Sequence, residues 1–128
     1  MRKRINQAAV LTTAGVIAGL SLTRVSGAAG NSTGLFPVLH FLAYFGLAAS
    51  LLVYFHDTER GHLEAFLAAA GFGLLLELVQ SFLPYRSFSL LDITANLAGA
   101  AVVMLDHRSR AVTAVVRCED RLIEKIVQ

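Results

Sequence analysis

Apolar residues occupy four long runs of this sequence, and polar residues lie mostly between the runs and at the two ends. The runs cover residues 5–22, 35–55, 63–83 and 88–105. Each run approaches the roughly 20 residues that an α-helix needs to cross the hydrocarbon core of a bilayer. The pattern therefore predicts an all-α fold, in which residues 1–107 form a four-helix transmembrane bundle.

The pattern changes in residues 108–128, where apolar and charged residues alternate with helical spacing. The predicted apolar stripe consists of Val112, Val115, Val116, Leu122, Ile123 and Ile126, opposite Arg117, Asp120, Arg121 and Glu124. Glu119 interrupts the stripe. We expect an amphipathic helix on the inner membrane surface. The alternative is a helix that docks onto a partner protein.

Composition and charge agree with a membrane protein. The chain is 55% hydrophobic and 16% charged, and its mean hydropathy of +0.62 is too high for a soluble domain of this size. Lys and Arg concentrate on the cytoplasmic side of membrane proteins. With both termini cytoplasmic, only Arg24 and Arg86 of the 11 basic residues would lie outside. We therefore expect a multi-pass protein of the cell membrane with both termini in the cytoplasm.

The N-terminal segment has a second interpretation. Basic residues at positions 2–4, the following apolar run and the small residues 26–28 resemble a cleaved secretory signal. Cleavage would leave three spans and would move the tail to the other side of the membrane. Because Arg24 lies beside the candidate cleavage point and four spans suit the charge distribution, we expect the segment to be retained.

Polar side chains inside three predicted spans each fall on one helical face. The pairs are His40 with Tyr44, Glu77 with Gln80, and Asp92 with Asn96, and Gly99 continues the last face. An ionisable group within a membrane costs about 3 kcal/mol on insertion scales, so it is usually partnered and often functional. We predict a ligand-binding pocket in the outer half of the membrane, lined by His40, Tyr44, Glu77, Gln80, Arg86, Asp92 and Asn96. Arg86 would pair with Glu77 or Asp92.

Three ordered motifs in these segments look like those of the VanZ-like family. They are His40-Phe-Leu-Ala-Tyr44-Phe-Gly-Leu, Glu77-x-x-Gln80-x-Phe-x-Pro84-x-Arg86 and Asp92-x-x-x-Asn96-x-x-Gly99. The resemblance covers about residues 35–105 and implies a small four-helix membrane protein. The family's namesake raises resistance to the glycopeptide teicoplanin. Members often carry an Asp-Lys pair shortly before the histidine, where this chain has Phe36-Pro37.

Each polar residue also has a purely structural interpretation. Gln80 and Asn96 could join helices by hydrogen bonds, which are worth about 0.6 kcal/mol on average in membranes. Tyr44 could be an interfacial aromatic residue, and His40 a hydrogen-bonded core histidine. The two carboxylates of Glu77 and Asp92 favour a functional pocket, because a scaffold would need only one of them to pair with Arg86.

Three functional classes remain open on this basis. The preferred one is binding of a lipid head group or a cell-envelope component, with Arg86 available for a phosphate or carboxylate. The second is a membrane enzyme that uses Glu77 or Asp92 as general base and His40 as acid. No known catalytic signature supports it. The third is an accessory subunit that binds a membrane partner through its tail.

Other ligands are not expected. His40, Glu77 and Asp92 are metal-ligand types, but they lack a recognisable metal-binding spacing, and we expect neither a metal nor a cofactor. The single cysteine, Cys118, cannot form an intramolecular disulfide. The basic residues do not alternate with aromatic ones along a stripe, so we expect no nucleic-acid partner.

Overall fold

The chain folds into helices throughout the part described by the structure, a computed structural model that covers residues 2–22, 35–84, 89–105 and 110–127. These helices are α1 (Arg2–Leu22), α2 (Leu35–Tyr54), α3 (Gly61–Gln80), α4 (Leu90–Ala101) and α5 (Arg110–Val127). Residues Val102–Leu105 extend α4 as a short 3₁₀ helix. No strand occurs in the ranges given above, so the predicted all-α class is confirmed.

Within those ranges, three helices are long and apolar enough to cross a membrane. They are α1, α2 and α3, while Leu90–Leu105 is a shorter apolar helix. Many large apolar side chains on these helices face outward, among them Leu11, Leu20, Leu42, Leu67, Leu75, Leu78 and Leu91. Such a surface suits contact with lipid tails rather than water. The fold is thus consistent with a membrane protein.

Several helix ends differ from the predicted ones by a few residues, and local chemistry explains the end of α3 and the start of α4. α3 ends at Gln80, because the chain approaching Pro84 tightens: the amides of Phe82 and Leu83 donate to carbonyls three residues back, at 3.1 and 3.0 Å. α4 begins at Leu90 because Ser89 caps it. The Ser89 hydroxyl accepts a hydrogen bond of 3.2 Å from the amide of Asp92.

Helix α2 is the centre of the bundle and packs against α1, α3 and α4. Its buried face carries Tyr44, Leu47, Ala48, Leu51 and Leu52. Small residues on the neighbouring helices allow close approach, since Ala65, Ala69 and Ala100 are completely buried. The core of the bundle is therefore built around one helix with small-residue contacts on its partners.

Helix α5 contacts α1 and α2. Val116 and Ile123 of its predicted apolar stripe are half-buried, whereas Arg117 and Arg121 are exposed. Leu122, another residue of this stripe, is 55% exposed. The side chains of Val112, Val115, Glu119, Asp120 and Ile126 lie outside the described part.

Candidate functional site

A cluster of three side chains, His40, Glu77 and Asp92, joins α2, α3 and α4 near one end of the bundle. One potential ligand atom from each lies within 4.8 Å of the other two. Glu77 is 2% exposed, and His40 and Asp92 are half-buried. We call these three residues the polar cluster. Two carboxylates this close repel each other when both are ionised, so the cluster suits a bound positive group.

Asn96 fixes the orientation of His40. The Nδ1 atom of His40 and the Oδ1 atom of Asn96 lie 2.9 Å apart, and Asn96 is buried at 3% exposure. If Oδ1 accepts this hydrogen bond, the proton of the neutral imidazole is on Nδ1 and Nε2 has a free lone pair. The histidine is thereby prepared to accept a proton or to bind a cation.

Tyr44 supports the other side of the imidazole. Its ring is stacked on His40, with ring centroids 6.4 Å apart and an interplanar angle of 14°. Tyr44 is only 1% exposed, and its ring also approaches Phe72 with centroids 6.5 Å apart. Tyr44 is therefore packed inside the bundle between His40 and Phe72.

Two glycines let the helices of the site approach each other. A Cβ atom at Gly99 would collide with the backbone carbonyl of Phe41 on α2. A Cβ atom at Gly73 would lie 2.8 Å from the Tyr44 ring and 3.3 Å from Nδ2 of Asn96. The sequence analysis placed Gly99 on the polar face of the fourth span, whereas the sequence pattern gave no signal for Gly73.

The start of α4 favours a negative charge at Asp92. This residue lies in the first turn of the helix, three positions after the Ser89 cap. The positive end of the helix macrodipole stabilises a carboxylate there by roughly 0.3–1 kcal/mol. Asp92 thus has a structural role at the helix end besides its place in the cluster.

Gln80 acts between helices rather than within the polar cluster. Its Nε2 atom donates to the backbone carbonyl of Ser21 at 2.8 Å, so it ties the end of α3 to the end of α1. This contact corresponds to the structural interpretation of Gln80. The sequence could not identify Ser21 as the acceptor, because backbone carbonyls carry no sequence signal.

Arg86, the predicted partner of Glu77 or Asp92, lies outside the described residues, and its pairing stays a prediction. Asn6 is a buried polar residue that the sequence analysis did not single out. Asn6 lies near the start of α1, whereas the contact between Ser21 and Gln80 of α3 lies at the opposite end of α1.

An apolar groove of about 810 Å³ runs between α1 and α2. Its walls extend from Thr12 to Ser21 on α1 and from Phe36 to Gly46 on α2, and they include His40 and Tyr44. From Thr12 to Ser21, nine steps along α1, the helix rises about 14 Å. This length is close to the thickness of one leaflet, which is half of a hydrocarbon core of about 30 Å. Because His40 lines this wall, it belongs both to the groove and to the polar cluster.

Comparison with known proteins shows to which family the chain is related. Residues 4–106 match the VanZ/LLP1 family. Over 70 residues the chain is 39% identical to the uncharacterized protein C11E3.10 of Schizosaccharomyces pombe, covering 53% of this chain and 43% of that protein. No solved structure matches the chain. Because the family match spans α1 to α4 and includes the polar cluster, the chain belongs to the VanZ/LLP1 family.

Proposed function

We propose that this protein is a membrane protein that binds a lipid or a lipid-linked cell-envelope component. The apolar chain of the ligand lies in the groove between α1 and α2, and its polar head group contacts the polar cluster. The observation that carries the proposal is the position of His40, which lines the groove and also lies beside Glu77 and Asp92. Binding sites commonly combine an apolar wall with a few convergent polar groups in this way.

The chemistry of the cluster limits the head group. Glu77 and Asp92 accept hydrogen bonds when ionised, and a charge-assisted bond contributes about 1.5–3 kcal/mol. Amines and hydroxyl groups on sugars or glycerol supply the matching donors. A bare phosphate would be repelled by two carboxylates unless a cation lies between them. The preferred ligand thus presents amine or hydroxyl groups at the level of His40.

A substitution that fills the groove with a larger side chain tests this proposal. Gly46 lines the groove, and a Cβ atom there would meet nothing within 4 Å, so we expect the leucine side chain of Gly46→Leu to occupy part of the groove. We expect the purified variant to retain at least tenfold less co-purified lipid, measured by native mass spectrometry.

Gly71→Leu is the matched control, because Gly71 also has open space and does not line the groove. This variant should keep the wild-type lipid. Equal retention by Gly46→Leu and wild type would reject the groove as the binding site, as would a wild-type protein without any bound amphiphile.

The proposal includes an orientation in which both termini are cytoplasmic and the polar cluster faces the outer leaflet. In intact cells, a membrane-impermeant maleimide should label Asn31→Cys from outside in a Cys118→Ser background. The native Cys118, which is exposed on α5, should react only after the membrane is permeabilised. Labelling of Cys118 in intact cells, or a mature chain that starts near Ala29, would contradict this orientation.

The family relationship gives this binding function a context. A protein that holds an envelope lipid or precursor could influence envelope homeostasis or resistance to glycopeptide antibiotics, as the family's namesake does. A second candidate is an accessory subunit whose polar residues only hold its own bundle together. The Gln80–Ser21 contact and the His40–Asn96 contact favour that candidate. The lipid measurement on Gly46→Leu separates the two.

A further inference from the structure

We propose that the polar cluster is a binding site for one divalent transition-metal ion, with His40, Glu77 and Asp92 as ligands. Their ligand atoms converge from α2, α3 and α4 to within 4.8 Å of one another. This inference deepens the proposed function, because it assigns to the same site an ion that contacts the head group.

The spacing suits an ion after a small contraction. At the upper limit of 4.8 Å, an ion at the centre of the three ligand atoms would lie about 2.8 Å from each. Zinc bonds to histidine nitrogen and carboxylate oxygen at about 2.0–2.2 Å. Side-chain rotations that move each ligand atom by less than about 1 Å close this difference without movement of the helices.

Charge and orientation favour a cation. Two adjacent carboxylates carry up to two negative charges, which a divalent ion neutralises in full. If Nδ1 of His40 donates to Oδ1 of Asn96, at 2.9 Å, the lone pair of Nε2 is available to the ion. Histidine ligands in metal proteins typically make such a second contact, which fixes the ring and its tautomer.

The ligand set selects the kind of metal. One imidazole and two carboxylates suit Zn²⁺ or Mn²⁺, whereas Mg²⁺ and Ca²⁺ prefer oxygen ligands alone. Three protein ligands leave at least one coordination position open. That position would take a hydroxyl or phosphate oxygen of the head group, so a bound ion would also admit the phosphate that the bare carboxylates repel.

Metal binding to the full-length chain tests the inference. The protein is purified in detergent, treated with a chelator, dialysed and titrated with Zn²⁺ or Mn²⁺ by calorimetry. We expect one ion per chain and a higher melting temperature with either metal, and no comparable effect of Mg²⁺. Glu77→Gln and Asp92→Asn preserve side-chain size and should each lower the affinity at least tenfold.

Glu64→Gln is the matched control on α3, since Glu64 binds Thr58 at 2.9 Å and lies outside the cluster. It should bind the metal like wild type. A wild-type chain that binds no ion, or that binds it equally well after both cluster substitutions, overturns the inference. Gly46→Leu should lose lipid and keep the metal, so the failure of one proposal is distinguishable from failure of the other.

Discussion

Replacement of Gly99 by alanine is expected to destabilise the bundle by roughly 2 kcal/mol or more. The added methyl group would collide with the backbone carbonyl of Phe41, and a backbone carbonyl cannot rotate away as a side chain can. Overpacking of a tight contact typically costs about 1–3 kcal/mol. The added methyl group would also push α4 away from α2, and this movement would separate Asn96 from His40.

The measurement is thermal or denaturant unfolding of the purified protein in detergent. Gly71→Ala provides the control, because a methyl group there meets nothing within 4 Å. Alanine in an open helical position should stabilise α3 by roughly 0.5–1 kcal/mol. Equal stability of the two variants would contradict the close contact between α2 and α4.

Much of the fold follows from the sequence because hydropathy and helical spacing are local properties. The long apolar runs predict α1, α2 and α3 within a few residues. Proline at position 84 and serine at position 89 then adjust the ends of α3 and α4 through backbone and capping effects. Such effects depend on single residues and shift boundaries rather than the fold class.

The site was predictable only in part. Helical spacing identifies the polar faces that carry His40, Glu77 and Asp92, since each face belongs to one helix. It does not reveal which faces meet, and it placed the pocket among the second, third and fourth spans. An apolar groove between α1 and α2 also reaches His40, and helical spacing within single helices gave no signal for it. Gly73 also gave no signal, because its contact with Tyr44 depends on packing between α3 and α2.

Glu77→Leu is expected to destabilise the protein strongly, whereas Glu77→Gln should not. Glu77 is 2% exposed among three helices, and leucine removes every hydrogen bond that its carboxylate can make. Breaking a buried polar contact costs about 1–3 kcal/mol for the group left behind. Glutamine keeps the size and one acceptor oxygen, removes the charge and replaces the other oxygen with an NH2 donor. A scaffold would therefore tolerate glutamine and gain stability from the lower desolvation cost.

A binding site responds differently to the same glutamine. Replacing a charge-assisted hydrogen bond by a neutral one removes about 1.4 kcal/mol, which corresponds to a tenfold loss of affinity. Expression, and the melting temperature of the metal-free protein, should stay close to those of wild type. Glu64→Gln again serves as control, because it removes a carboxylate from α3 outside the polar cluster.

The lipid content of purified Glu77→Gln, measured by quantitative native mass spectrometry beside wild type and Glu64→Gln, tests the head-group assignment most directly. We predict about tenfold less bound lipid in Glu77→Gln at unchanged expression, and wild-type lipid in Glu64→Gln. Unchanged lipid content in both Glu77→Gln and Asp92→Asn would contradict the binding function and favour the accessory-subunit interpretation.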